Sequence, residues 1–249
     1  MAATTTQAGS ARGRLATAAA FACLIAAAVA LSPAGDAGAS KAKEIGKTRN
    51  TPKASCPTPS GNDFPPRRGC QVLGEVTGFQ LSAEGKDGLM KVPADGHIVG
   101  WAVDLSRPAP DERKFFEDVL GNRAFNGAPS ARLSMISKAN GRKYRLRGQS
   151  PVTKLNPLLG RRQYFTLNNP IPVNQGWTAA LTTQTWVPAF AHDLRNDDLW
   201  RASRASGRCE GEKNLTQRSR PHLHVGTVET YGCTYSDARI IYWAYFKKS

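Results

Sequence analysis

The chain has 249 residues, 34 Lys+Arg against 19 Asp+Glu and a formal net charge of +15, with 40% hydrophobic residues and 5 Trp, 6 Tyr and 9 Phe. That apolar and aromatic content excludes a chain disordered throughout, and the length suits one sizeable core or two small ones. The positive balance points to anionic partners or surfaces and leaves the fold open.

Residues 1–14 are polar and carry Arg12 and Arg14. The apolar run Leu15–Leu31 follows, and then Ala37-Gly38-Ala39 before Ser40. A basic start, an apolar stretch and an A-x-A site read as a secretory signal peptide over 1–39. The apolar run is short and Ala-rich for a bilayer span, and no later stretch approaches 18 apolar residues. Cleavage predicts an exported protein with no transmembrane segment. It removes two Arg and one Asp, leaving 32 basic and 18 acidic side chains, or +14. The charge therefore belongs to the mature chain.

Cys23 goes with the signal, leaving Cys56, Cys70, Cys209 and Cys233. An even count in an exported chain predicts two disulfides. Loop closure favours the local pairs Cys56–Cys70 and Cys209–Cys233. The lack of any C-x-x-C argues against a four-Cys zinc site.

Residues 40–70 are rich in Lys, Pro, Ser and Gly without apolar period, and read as a basic linker. From 71 to 249 alternation takes over. Thr77, Phe79 and Leu81 share a face, and so do Val99, Trp101, Val103 and Leu105. Ala131, Leu133 and Met135 align. Tyr144 and Leu146 oppose Lys143, Arg145 and Arg147. Phe165 pairs with Leu167, and Trp177 with Ala179 and Leu181. Ala139-Asn140-Gly141 separates two such runs as a hairpin turn. The run Ala238–Phe246 is apolar on both faces and predicts a central strand. One helix is expected after Pro110, opened by acidic residues, with Phe115, Phe116, Val119 and Leu120 at helical spacing and Gly121 as its stop. About eight short strands and one short helix predict an all-β, two-sheet antiparallel sandwich, jelly-roll-like. Residues 185–221 show little alternation and read as a long loop pinned by Cys209, hence the place to seek a site.

The residues offer four candidate chemistries. His222-Leu223-His224 with Glu229 resembles the first metal motif of the cupins. Thr216 stands where those proteins have Gly, and no His follows His224 to supply a further ligand. Hydrolysis has no G-x-S-x-G, since Gly148-Gln149-Ser150-Pro151-Val152 lacks the second Gly, which leaves Asp193, Asp197 and Asp198 as candidate acids. Gly121–Gly127 lacks the Lys-Ser/Thr of a phosphate loop, so no cofactor is implied. Polyanion or glycan binding is the reading the residues favour. Lys143, Arg145 and Arg147 share a strand face, and Trp200, Arg201 and Arg204 sit together in the long loop, where Arg and aromatic rings suit acidic groups and sugar rings.

The stretches PADGHIVGWAVDLSRP, LWRASR and YGCTYSDARIIYWA resemble a group of secreted proteins of high-GC Gram-positive bacteria with no assigned activity. The resemblance carries no catalytic residue over, and treats Trp200, Arg201 and Arg204 as ordinary equipment of the fold. The sequence thus predicts an exported, non-enzymatic sandwich that binds an anionic wall polymer or polysaccharide. Export argues against nucleic acid. The alternatives are an enzyme with its site in the long loop or at His222/His224, and a structural envelope protein. Ligand identity and oligomeric state stay open.

Overall fold

The computed structural model describes residues 41–56, 69–120, 124–209 and 220–249; the segment read as a signal peptide lies outside them. Every strand pair is antiparallel. A four-stranded sheet runs β1 (Lys43–Ile45), β17 (Tyr242–Lys248), β5 (Gly96–Asp104), β9 (Arg162–Val173). A larger sheet runs β14 (Val228–Thr230), β7 (Lys143–Gln149), β6 (Ser130–Lys138), β10 (Thr178–Thr182), β3 (Thr77–Ala83), β13 (Leu199–Ala202), β15 (Cys233–Tyr235). On it, β4 (Lys86–Asp87) pairs with β3, and β8 (Thr153–Lys154) with β6. Two short pairs complete the fold: β2 (Leu73–Gly74) with β11 (Trp186–Val187), and β12 (Phe190–Ala191) with β16 (Arg239–Ile240). The chain passes repeatedly between the two main sheets, as it does in a sandwich of the expected kind.

The main core lies between the sheets. Trp101, Val103, Tyr242, Ala244 and Phe246 from the small sheet meet Leu133, Met135, Ala179 and Leu181 from the large one. The hydroxyl of Tyr242 donates to the Ala179 carbonyl at 2.9 Å, a polar link across this core. As the two-sided apolar pattern predicts, β17 is an interior strand. Its other face packs Ile241 and Trp243 with Ala102 and Ala191.

β5 departs from simple alternation. Its pairing with both neighbours shifts register between Ile98 and Gly100. The bulge resets the period, so Ile98, and not Val99, joins Trp101 and Val103 in the core.

Within the segment read as a linker, residues 41–56 are built into the fold. β1 adds an edge strand to β17, and Ile45 is buried in the main core. Gly46 follows at φ +98°, and a Cβ there would lie 3.0 Å from both the Met90 sulfur and the Tyr242 carbonyl. Glu84, in the β3–β4 turn, accepts the backbone N–H groups of Arg49 (3.0 Å) and Asn50 (2.8 Å), which tie the arm down. These contacts, Asn50's foremost, hold the Glu84 carboxyl below its usual pKa.

The helix α1 (Pro110–Leu120) forms where expected; Gly121 lies outside the described residues. Pro110 begins it, and Glu112 accepts the N–H groups of Ala109 (3.0 Å) and Cys70 (2.7 Å), satisfying donors at its start. Phe116 and Leu120 are buried, and Phe116 packs 5.3 Å from Trp186. The helix therefore covers the β2–β11 pair.

The disulfides are the local pairs, Cys56–Cys70 and Cys209–Cys233. Replacing Cys209 and Cys233 with Ser is expected to lower unfolding stability by about 2–4 kcal/mol. Urea denaturation of the double variant checks this, and a midpoint equal to the parent's would contradict it.

Candidate binding cleft

Antiparallel partners share a face, so the register assigns the outer face of the large sheet. Thr77, Phe79 and Leu81 on β3 lie beside Arg201 on β13 and Thr182 on β10. Ser134, Ile136 and Lys138 on β6 lie beside Tyr144 and Leu146 on β7. A sheet face this apolar needs cover, and segment 220–232 covers part of it. Tyr231 is fully buried against Phe79 (5.8 Å) and Tyr144 (5.0 Å). Beneath it runs a hydroxyl network in which Thr182 joins Thr77 (2.8 Å) and Ser134 (2.6 Å), and the Gln149 amide donates to Ser134 (2.8 Å).

His222 anchors this cap. It is 1% exposed. Its N–H donates to the Thr77 hydroxyl (2.9 Å), and its carbonyl accepts from Gln149 (2.8 Å). Nε2 faces the Thr227 carbonyl at 3.0 Å, so it carries the ring proton, and Nδ1 accepts the Tyr231 hydroxyl at 3.2 Å. Burial pushes the imidazole pKa below its usual value, while the Thr227 contact and Glu229 oppose the shift. Both ring nitrogens are spent on the protein, and His224 is exposed in a turn. The His-x-His segment lies on no strand, with His222 buried and His224 exposed. Among the described residues the one three-membered cluster with metal-ligand types close together is Cys56, Cys70 and Glu112. There the sulfurs are bonded to each other, and Glu112 binds backbone N–H groups.

Beyond the cap the outer face stays open. A cleft of about 480 Å³ is floored by Phe79, Leu81, Tyr144 and Leu199. Lys91, Lys138 and Arg201 stand at its margin with, among the described residues, a single carboxylate, Asp87. Lys91, Lys138 and Asp87 are exposed, and Arg201 is held by a hydrogen bond from Nε to the Thr234 hydroxyl at 3.3 Å. Three cations against one anion over an aromatic and aliphatic floor suit a ligand with apolar faces and acidic groups.

The six candidate binding residues separate into three places. Arg201 lines the cleft. Lys143, Arg145 and Arg147 lie on the face of β7 opposite Tyr144 and Leu146. There Arg145 donates to the Gly226 carbonyl, while Arg147 bonds Ser137 (2.9 Å) and stacks 5.6 Å from the Trp177 ring. Trp200 and Arg204 line a second cavity, in which Trp200 stacks on Tyr235 at 4.4 Å. Segment 185–202 is not a free loop, because β11, β12 and β13 build it into the sheets, and 210–219 lie outside the described residues. Asp193 is exposed, and the other two candidate acids are committed. Asp197 pairs with Arg195 (3.1 Å), and Asp198 is buried beside Arg239. Ser150 is buried and bonds the Leu133 N–H at 3.0 Å.

Sequence reasoning missed Lys91, Lys138 and Asp87. Lys138 carried a signal, since it continues the β6 alternation of Ser134 and Ile136. Lys91 and Asp87 carried none, because they reach the cleft from short irregular segments. No protein-family model, curated protein or solved structure matches the chain. Among the described residues no helix is long and apolar enough to cross a membrane.

Proposed function

We propose that the protein is an exported, non-enzymatic sandwich that binds an acidic polysaccharide or other anionic polymer of the cell envelope in this cleft. The observation that carries the reading is the conjunction of an apolar floor with Lys91, Lys138 and Arg201, opposed among the described residues by Asp87 alone. The apolar faces of sugar rings meet the half-buried Leu81 and Leu199 beside the buried Phe79 and Tyr144, and their acidic groups meet the cations. The two disulfides, the A-x-A site before Ser40 and the excess positive charge support export and an anionic partner.

The test is retention on heparin, polygalacturonate and teichoic-acid columns. The parent protein should be retained at about 50 mM salt and released as salt screens the contacts. Lys138→Glu with Arg201→Glu should weaken binding at least tenfold. Lys143→Glu with Arg145→Glu, on the opposite face of β7, should weaken it much less. Flow-through of the parent on all three columns overturns the proposal, and so does an equal loss in the two double variants.

A further inference from the structure

We infer that a second cavity, separate from the cleft, binds a small amphipathic carboxylate: an apolar acyl or aryl body ending in one acidic group. The cavity measures about 290 Å³ and lies where α1 meets β13 and β15. Phe115, Phe116, Phe190, Trp200 and Tyr235 make it largely aromatic, and Val72, Val119 and Leu120 extend its apolar wall. Among the described residues, Arg204 is the one cationic side chain lining it, and no carboxylate of theirs lines it.

The polar contacts of Arg204 are the decisive detail. One terminal nitrogen donates to the Tyr235 hydroxyl at 3.4 Å, and that hydroxyl donates onward to the Cys209 carbonyl at 3.1 Å. The Nε of Arg204 is buried and has no hydrogen-bond partner among the described residues. An unmet N–H on a charged group in an apolar setting is costly, and an anion is the partner that relieves it best. A carboxylate set against this guanidinium would leave its apolar tail among the rings. A fully apolar ligand would leave the N–H unmet, and a hydrophilic anion would gain nothing from the walls. The cavity is also braced, because Cys70 of one disulfide and Cys209 of the other both line it. Such bracing lowers the ordering cost of binding.

Calorimetric titration of the whole disulfide-bonded protein tests this. Octanoate and 3-phenylpropanoate are the probes, with octanol and acetate as controls. Saturable one-to-one binding of at least one acid is expected, at least tenfold tighter than either control; the better acid tells acyl from aryl. Arg204→Gln should reduce that affinity at least tenfold with its thermal midpoint near the parent's. The comparison of octanoate with octanol needs no variant, so it stands even if Arg204→Gln fails to fold. No saturable binding of either acid, or equal affinity for acid and alcohol, overturns the inference. Neither result touches the polysaccharide reading, which rests on other residues.

Discussion

Arg239→Ala should lower unfolding stability by about 3–5 kcal/mol, the range found when one partner of a buried ion pair is removed. Arg239 and Asp198 are each 4% exposed. The guanidinium Nε lies 4.0 Å from the Asp198 carboxylate, and another nitrogen lies 4.0 Å from Glu84. A third contact runs to the Thr48 hydroxyl at 2.9 Å. One side chain thus joins β16, the β3–β4 turn, the segment before β13 and the N-terminal arm. Neither Arg239 Nε nor Asp198 Oδ1 has a hydrogen-bond partner among the described residues, so the pair is held by charge. Burial pulls the Arg239 pKa down, and Asp198 and then Glu84 oppose it. Taking the cation away leaves Asp198 buried without its counter-charge. Arg239→Met, which restores volume alone, should remain strongly destabilised, whereas Arg239→Met with Asp198→Leu should recover most of the loss. Urea unfolding followed by tryptophan fluorescence measures all three. A single variant within about 1 kcal/mol of the parent, well below that range, would show that the pair is solvated in solution. Proteolysis offers a second readout, since loss of the Thr48 contact should expose the 41–56 arm first.

How far the sequence foretold this molecule depends on the length scale of each feature. β6, β7 and β10 are long enough to show a period of two, and the Asn140-Gly141 turn between the first two has its own chemistry, with Gly141 at φ +49°. Cysteine pairing was legible because both loops are short. The bulge in β5 was not legible, since a one-residue insertion changes the face of every residue before it without changing composition. Nor were β11 and β12, because two residues cannot display a period and Trp186 is placed by tertiary packing. The cleft was half legible. Arg201 stood out by its neighbour Trp200, but strand alternation sends those two side chains to opposite faces, one to the cleft and one to the aromatic cavity. Adjacency in sequence suggested a joint site that the strand geometry forbids.

The second large effect is acid sensitivity. Burial depresses the pKa of both His222 and His192 below the ordinary 6.5. The folded state therefore holds both rings neutral, while the unfolded chain takes up protons as pH falls past that value. Unfolding then binds protons, so stability is full above about pH 6.5 and is lost as pH falls through the folded-state pKa values. Each histidine can contribute a slope of up to about 1.4 kcal/mol per pH unit in that window. His222 matters more for the cleft. Its protonated Nδ1 could no longer accept the Tyr231 hydroxyl, and Tyr231 packs against Phe79 and Tyr144 of the cleft floor. Glu229 beside His222 and Asp193 beside His192 moderate the shift without reversing it. His222→Gln keeps a neutral donor and acceptor, so it should cost about 1 kcal/mol at pH 7.5, near the worth of one hydrogen bond. With His192→Gln it should flatten the stability profile between pH 7.5 and 5. Urea unfolding at several pH values in that range reads the slope, and an unchanged slope in the double variant would assign the acid sensitivity to other groups. The polysaccharide binding proposed for the cleft should weaken over the same interval as the cap loosens, and the double variant should hold its affinity further into acid.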